Sequence, residues 1–324
     1  MIARRTLLGS ALAAPLAAPA LGQAPWPNRP VRIIVPWPPG GSTDVLARIM
    51  AEQLQQKLGQ PFVIENRPGA GGNIGADALA KSAPDGYTMG SITLGAFSIN
   101  QFLYARLPFD PERDLQPISL HWELPNVVVV PAAHVPATTL TEFIAWARTR
   151  RGGVSYGSPG VGTTPHLSGA MFTSRLNLEG VHVPFRGAAQ TIPAMLAGDV
   201  NFAIDNLASY VPVIQEGRMR ALAVTSAERF PTMPNVPTMA EAGVPDFVVA
   251  SWCAFAFPAG VPRPILDRAS LAMREIAAEP AFQERFLRTG ARAISSTPEE
   301  AMARAARERP MWQDVVRISG ARLE

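Results

Sequence analysis

Short apolar runs alternate along the chain with stretches whose apolar residues recur every three to four positions. Residues 31–35, 62–64 and 87–92 have the apolar, β-branched character of strands, whereas 44–58 and 74–81 carry a helical period. That order predicts a βαβαβ unit on a parallel sheet. A second set of strands is expected at 127–130, 154–156, 181–183, 202–204 and 221–224. Helices are expected between them at 165–175, 190–196 and 210–215. Thr139 and Glu142 have the spacing of a capping box for a further helix ending near Arg150. The tail reads as helices at 265–278, 281–289 and 299–309, punctuated by Pro280, Gly290 and Pro298.

Two α/β sets in one chain imply a cleft between lobes. The apolar stretch 247–257, with Ser251 and Trp252 at its middle, is long enough to return the chain to the first lobe. Lobe one is then expected at 28–127 plus 251–324, and lobe two at 128–250. Each should hold a mainly parallel sheet flanked by helices, with two crossover strands forming a hinge that closes on a ligand.

The beginning of the chain changes the picture. Arg4 and Arg5 precede an apolar run at 7–21, broken by Gly9, Pro15 and Pro19, followed by small residues. This is the layout of an export signal, expected over 1–24 and removed on export, since a spanning helix needs about 20 apolar residues. The paired arginines fit the twin-arginine route, and a general secretory signal fits as well. Cys253 is the single cysteine, so no internal disulfide forms and stability must come from core burial. The formal charge is +3, and removing Arg4 and Arg5 leaves 3 − 2 = +1, too small a balance to suggest nucleic acid as a partner.

Candidate chemistry gathers in turns that follow strands. Pro36-Trp37-Pro38-Pro39-Gly40-Gly41-Ser42-Thr43-Asp44 leads into a helix, and Ser158-Pro159-Gly160-Val161-Gly162-Thr163-Thr164 does the same in the second set. Backbone N–H groups at such helix starts carry partial positive charge and can hold a small anion; as simple connections, these turns need no ligand at all. Arg186 could face an anion or be a solvated surface charge. Asp205, at the end of an apolar strand, sits where sheet ligands bind or acts as a helix cap.

Enzymatic readings fail on spacing. Ser158 lacks the first glycine of a nucleophile elbow. His121, His134, His166 and His182 form no metal-ligand pair, so no metal site and no catalytic residues are expected. A phosphate loop with its lysine is absent. Gly69, Gly71 and Gly75 approximate a dinucleotide turn, but the next strand ends at Ser91-Ile92-Thr93-Leu94 without the acid that would bind a ribose, and no cofactor is expected.

The order of motifs adds a resemblance. The segment from Val35 to Asp44, Glu65-Asn66-Arg67-Pro68-Gly69-Ala70-Gly71-Gly72-Asn73-Ile74-Gly75, Ala83-Pro84-Asp85-Gly86-Tyr87-Thr88, Gly157 to Thr163, His182-Val183-Pro184-Phe185-Arg186-Gly187 and Pro237-Thr238-Met239-Ala240-Glu241-Ala242-Gly243 resemble the Bug-type periplasmic receptors of tripartite tricarboxylate transporters. The resemblance spans the mature chain. It implies the two-lobed periplasmic-binding-protein fold, a small organic carboxylate between the lobes, two membrane subunits as partners, and a monomer in the periplasm. Carried over residue by residue, it points to Gly40, Gly41, Thr43 and Asp44 in the first lobe and Ser158, Thr163, Arg186 and Asp205 in the second. A sensory receptor passing the signal to a partner protein, or an exported enzyme on the same scaffold, remains an alternative role. Two departures stand out: Trp37 replaces a common Phe, and His121-Trp122-Glu123-Leu124-Pro125 replaces a run that is usually small and apolar or hydroxylated. Trp122 or His121 in the cleft would favour an aromatic or larger ligand; alternatively the indole merely covers the lobe junction.

Overall fold

The computed structural model describes residues 26–323; the expected export signal lies outside them. Strand β1 (Val31–Val35) pairs in parallel with β2 (Phe62–Asn66) and β3 (Thr88–Thr93). Helix α1 (Ser42–Leu58) connects β1 to β2, and α2 (Asn73–Ala80) connects β2 to β3. Leu46, Ala47, Met50 and Leu54 recur on one face of α1 and are buried, which is why the helical period was visible. Gly59 closes α1 in the left-handed region at φ 76°, with its N–H on the Gln55 carbonyl.

After β3 the chain makes a wide helical turn at 95–99 and a short helix α3 (Asn100–Leu103), neither marked by periodicity. It then enters β4 (Leu115–Pro131), a 17-residue strand that the sequence suggested only at 127–130. Pro117 and Pro125 hid the rest, because proline supplies no ladder N–H. In the fold Pro117 sits at a register shift, and Pro125 sits where the partner of β4 changes.

The second set follows: α4 (Leu140–Arg148), β5 (Val154–Ser158), α5 (Thr164–Arg175), β6 (Gly180–Pro184), α6 (Ala188–Ala197), β7 (Phe202–Asn206), α7 (Leu207–Gln215) and β8 (Met219–Val224). The chain returns through β9 (Ala250–Pro258) and ends in α8 (Arg263–Ala278), α9 (Pro280–Arg288), β10 (Arg292–Ala293) and α10 (Pro298–Ser319). The Thr139 cap on α4 accepts from the Glu142 N–H at 3.1 Å, but the expected capping box does not close, because the Glu142 carboxylate accepts from the Thr138 N–H and hydroxyl instead of the Thr139 N–H. Helix α10 runs through Pro310, beyond the expected stop at 309. Trp312, Val315 and Val316 are buried beyond that proline, and this packing offsets the hydrogen bond its ring removes.

The sheet order is β2-β1-β3-β9-β4-β7-β5-β6, with β8 and β10 also on β4. The fold is α/β with a mixed sheet. Parallel pairing holds on the outside, in β2-β1-β3 and in β7-β5-β6, while β4 and β9 run antiparallel to their neighbours. The antiparallel centre has a topological cause: β4 and β9 carry the chain out and back past the junction. Residues 115–125 of β4 pair with β9, and residues 126–129 pair with β7. Apolar cores lie on both sides, one including Ile33, Met50, Phe255 and Met273 and another including Val129, Met195, Leu207 and Phe230. A third cluster, with Phe97, Phe143, Phe202, Trp252 and Trp312, extends across the junction.

Candidate functional site

The turns that follow β1, β3, β5, β6 and β7 meet in one cavity beside the β4/β9 junction. Carboxyl ends of parallel strands are where open α/β sheets hold ligands, because the next helix starts there. Four helix starts reach the wall: Gly41, Ser42 and Thr43 of α1; Thr163, Thr164 and Pro165 of α5; Gly187, Ala188 and Ala189 of α6; Asn206 and Ser209 of α7. No side chain caps α1, α6 or α7. Thr163 caps α5 only loosely, accepting from the His166 N–H at 3.4 Å while donating to the Gly160 carbonyl at 2.7 Å. First-turn N–H groups of α1, α6 and α7 therefore lack side-chain capping acceptors at ends that reach the cavity wall, and the helix dipoles add positive potential there. Among the described residues, the lining contains no lysine, arginine or histidine, and Asp205 is its one ionisable group.

Of the residues singled out from sequence, Gly41, Thr43, Thr163 and Asp205 line the cavity; Gly40, Asp44, Ser158 and Arg186 do not. The Gly40 N–H donates to Asp44 Oδ2 at 3.0 Å. The Asp44 carboxylate also accepts from Arg48 Nε and Nη2, both at 3.0 Å, and from Asn66 Nδ2 at 2.8 Å. Burial alone would push the Asp44 carboxyl up, but these hydrogen bonds and the Arg48 charge hold it below the ordinary carboxylate range. Asp44 thus braces the first Gly-Gly turn. Ser158 is fully buried, with its Oγ 2.7 Å from His182 Nε2 and 3.1 Å from the Gly160 carbonyl. The Arg186 side chain is exposed, and its backbone N–H donates to Gln190 Oε1.

Gly75, the third glycine of the turn that approximates a dinucleotide site, has a packing role: a Cβ there would lie 2.6 Å from Pro36 Cβ. Gly71 of the same turn does line the cavity.

The description "Tripartite tricarboxylate transporter family receptor" belongs to the family model that matches residues 46–319. This chain belongs to that family, the Bug-type receptors. It is 37% identical over 300 residues to protein BugT of Bordetella pertussis, covering 92% of each chain. It is 36% identical over 315 residues to a protein from the tcbD-tcbE intergenic region of Pseudomonas sp. strain P51, covering 97% of this chain and 93% of that one. Among solved structures, an R. palustris protein with adipate superposes with a TM-score of 0.89 at 34% identity, over 92% of this chain and 100% of the other. MatC from Rhodopseudomonas palustris with bound malate gives 0.83 at 30% identity, over 90% of this chain.

Within this receptor, the cavity wall holds residues beyond the eight carried over from the resemblance, among them Ser42 and Thr164 of the candidate turns and Trp122, one of the two side chains considered for the cleft. Ser42 Oγ of α1 lies 2.6 Å from Ser209 Oγ of α7, joining helix starts that are 167 residues apart. Ser251 Oγ donates to Asn206 Oδ1 at 2.9 Å and contacts Thr164 Oγ1, which ties β9 to β7 and α5. Trp37, Trp122 and Trp252 form aromatic parts of the lining. His121 is elsewhere, packed against Phe255 and Phe286 at 4.8 and 5.4 Å, and burial pulls it down to about 3, so its imidazole is neutral. Asp205 is 1% exposed. Burial pushes its carboxyl up to about 7, against the partial opposition of hydrogen bonds from the Asn206 N–H (2.6 Å) and the Tyr210 hydroxyl (3.1 Å). Near neutral pH it can donate as well as accept.

Proposed function

We propose that the mature chain is a periplasmic solute receptor that binds a small organic carboxylate between two lobes, 28–127 plus 251–324 and 128–250. It delivers the ligand to the two membrane subunits of a tripartite transporter, without catalysis. The observation that carries this reading is the set of four helix starts around a cavity lined by no cationic side chain. Backbone dipoles can hold a carboxylate without a salt bridge, and they favour release because there is no buried ion pair to break. Adipate and malate in related receptors support the same ligand class. The family supports periplasmic delivery, and none of the described helices is long and apolar enough to cross a membrane.

Closing lobes around β4 and β9 would bring Ser42 and Ser209 together, as in the hydrogen bond between them. The ligand contacts assigned to this site are Gly41, Thr43, Thr163 and Asp205, with Gly40, Asp44 and Ser158 shaping the turns. Arg186 is left to the exposed rim.

The test is thermal unfolding of purified protein starting at residue 26, against a panel of organic acids, after mass spectrometry has excluded retained ligand. An acid at about 100 times its Kd adds roughly 2.7 kcal/mol of stability, and loss of uptake of that acid should follow gene deletion. No stabilisation across the panel overturns the receptor reading; binding without uptake favours a sensory role, and turnover of the bound acid an enzyme.

A further inference from the structure

We propose that the Asn206 amide is a ligand-binding group of this receptor, donating from Nδ2 to a carboxylate that caps the start of α7, and that Ser251 positions the amide for it. This role rests on the receptor reading above. An asparagine that precedes a helix ordinarily turns its side-chain oxygen onto a first-turn N–H. Asn206 holds that position before α7, yet no side chain caps the helix. Its Oδ1 is engaged elsewhere, accepting from Ser251 Oγ at 2.9 Å.

That diversion leaves donors on both the helix and the side chain. The first turn of α7 has no side-chain acceptor at an end that reaches the cavity wall, so a carboxylate there would act as the cap and meet the positive end of the helix dipole. The amide is planar, and an Oδ1 held by Ser251 turns the Nδ2 hydrogens away from that contact. Asn206 is partly buried and lines the cavity, and its Nδ2 has no hydrogen-bond partner among the described residues. Ser251 is itself well anchored. It is 3% exposed on β9, contacts Thr164 Oγ1 of α5 and lies 3.4 Å from Asn126 Oδ1 of β4. The direction of the amide is thus set at the junction where the chain passes between its two sets of strands.

A separate observation comes from α1. Thr43 is 5% exposed and lines the same cavity, and its hydroxyl also has no partner among the described residues. Buried polar groups are nearly always hydrogen-bonded, so a hydroxyl in this state is a ready ligand contact. The hydrogen bond between Ser42 and Ser209 sets the starts of α1 and α7 side by side. A carboxylate has two oxygens with about four acceptor positions, enough to take Thr43 Oγ1, Asn206 Nδ2 and helix N–H groups together. With no lysine, arginine or histidine in the described lining, these neutral donors carry the recognition.

The experiment measures Kd by calorimetry with acetate, benzoate, adipate, malate and the wider acid panel, and the tightest binder is the probe for the variants. Asn206→Asp keeps the side-chain shape and an oxygen for Ser251 but replaces the donors with negative charge. It should weaken binding at least about tenfold, the scale of a hydrogen bond to a charged group. Asn206→Ala should weaken binding as well. Ser251→Ala should weaken binding in the wild-type background and add no measurable loss in the Asn206→Ala background, because it acts through the amide. The Tm of each ligand-free variant identifies any folding defect, and the comparison between the two backgrounds separates positioning from a general loss of stability. Unchanged affinity in Asn206→Asp overturns the ligand contact and leaves the receptor reading standing. Losses that add in full between Ser251→Ala and Asn206→Ala overturn the positioning role. If no acid of the panel binds the wild type, the receptor reading itself fails.

Discussion

Asp205→Asn removes the one ionisable group of the cavity while keeping an oxygen to accept from the Asn206 N–H, with Nδ2 placed to donate to the Tyr210 hydroxyl oxygen. The Asp205 carboxyl titrates at about 7 in the fold, against an ordinary value of 3.8. Between these values the folded state holds a proton that the unfolded state has lost. The Asp205 contribution to stability is therefore fully present below pH 3.8 and is lost as pH rises through 7. The slope approaches about 1.4 kcal/mol per pH unit between the two values and flattens near 7, so from pH 5 to 7 the wild type should lose on the order of 2 kcal/mol relative to Asp205→Asn. For a chain of this size that corresponds to a relative Tm change of roughly 3–4 °C.

Other groups act in the same window with opposite sign. Burial pulls His166 to about 4 and His121 and His182 to about 3, with the neighbouring His166 adding to the effect on His182. The unfolded chain then binds more protons below 6.5, and these histidines make stability rise with pH up to that point. Both proteins share the histidines, so the difference between their curves isolates Asp205. The assay is thermal or urea unfolding of the ligand-free pair at half-unit steps from pH 5 to 8. A constant Tm difference across that range would refute the raised titration of Asp205 and with it the buried environment that causes it.

Asp44→Ala should destabilise the fold by about 1–3 kcal/mol, because the Gly40 N–H, Arg48 and Asn66 lose a shared acceptor. Asp44→Asn should recover part of this in urea unfolding; an affinity loss in both variants with unchanged stability would instead make Asp44 a direct ligand contact. Ser42→Ala removes the Oγ–Oγ hydrogen bond to Ser209, worth about 1 kcal/mol, and should weaken ligand binding roughly fivefold. Combining it with Ser209→Ala should cost little more, and fully additive affinity losses would show that the pair is not coupled in closure.

The two α/β sets, the helix starts and their Gly-rich turns were legible in the sequence because each rests on local rules. Apolar period marks the elements, and small residues mark the turns between them. The family was legible through the order of those turns, although no single turn is specific. Strand β4 was mostly hidden: Pro117 and Pro125 discourage a strand, and only a register shift against β9 at Pro117 and the switch of partner from β9 to β7 at Pro125 give them places where no ladder N–H is needed. Side-chain roles at the site were also beyond the sequence. Asp44 and Asp205 each stand beside a helix start, yet Arg48 and Asn66 engage the first, whereas the second is buried at the cavity wall without a cation.

By itself, the sequence determined the α/β alternation, the loops able to offer backbone N–H groups, and membership in a receptor family through ordered motifs. Tertiary structure decided which of those groups share a cavity. It placed Ser42 beside Ser209 and brought Trp37, Trp122 and Trp252 to the border of one cavity. Periodicity acts over a few residues, while these contacts close loops of 85 to more than 200 residues, and only the packing of the whole chain fixes which side chains meet.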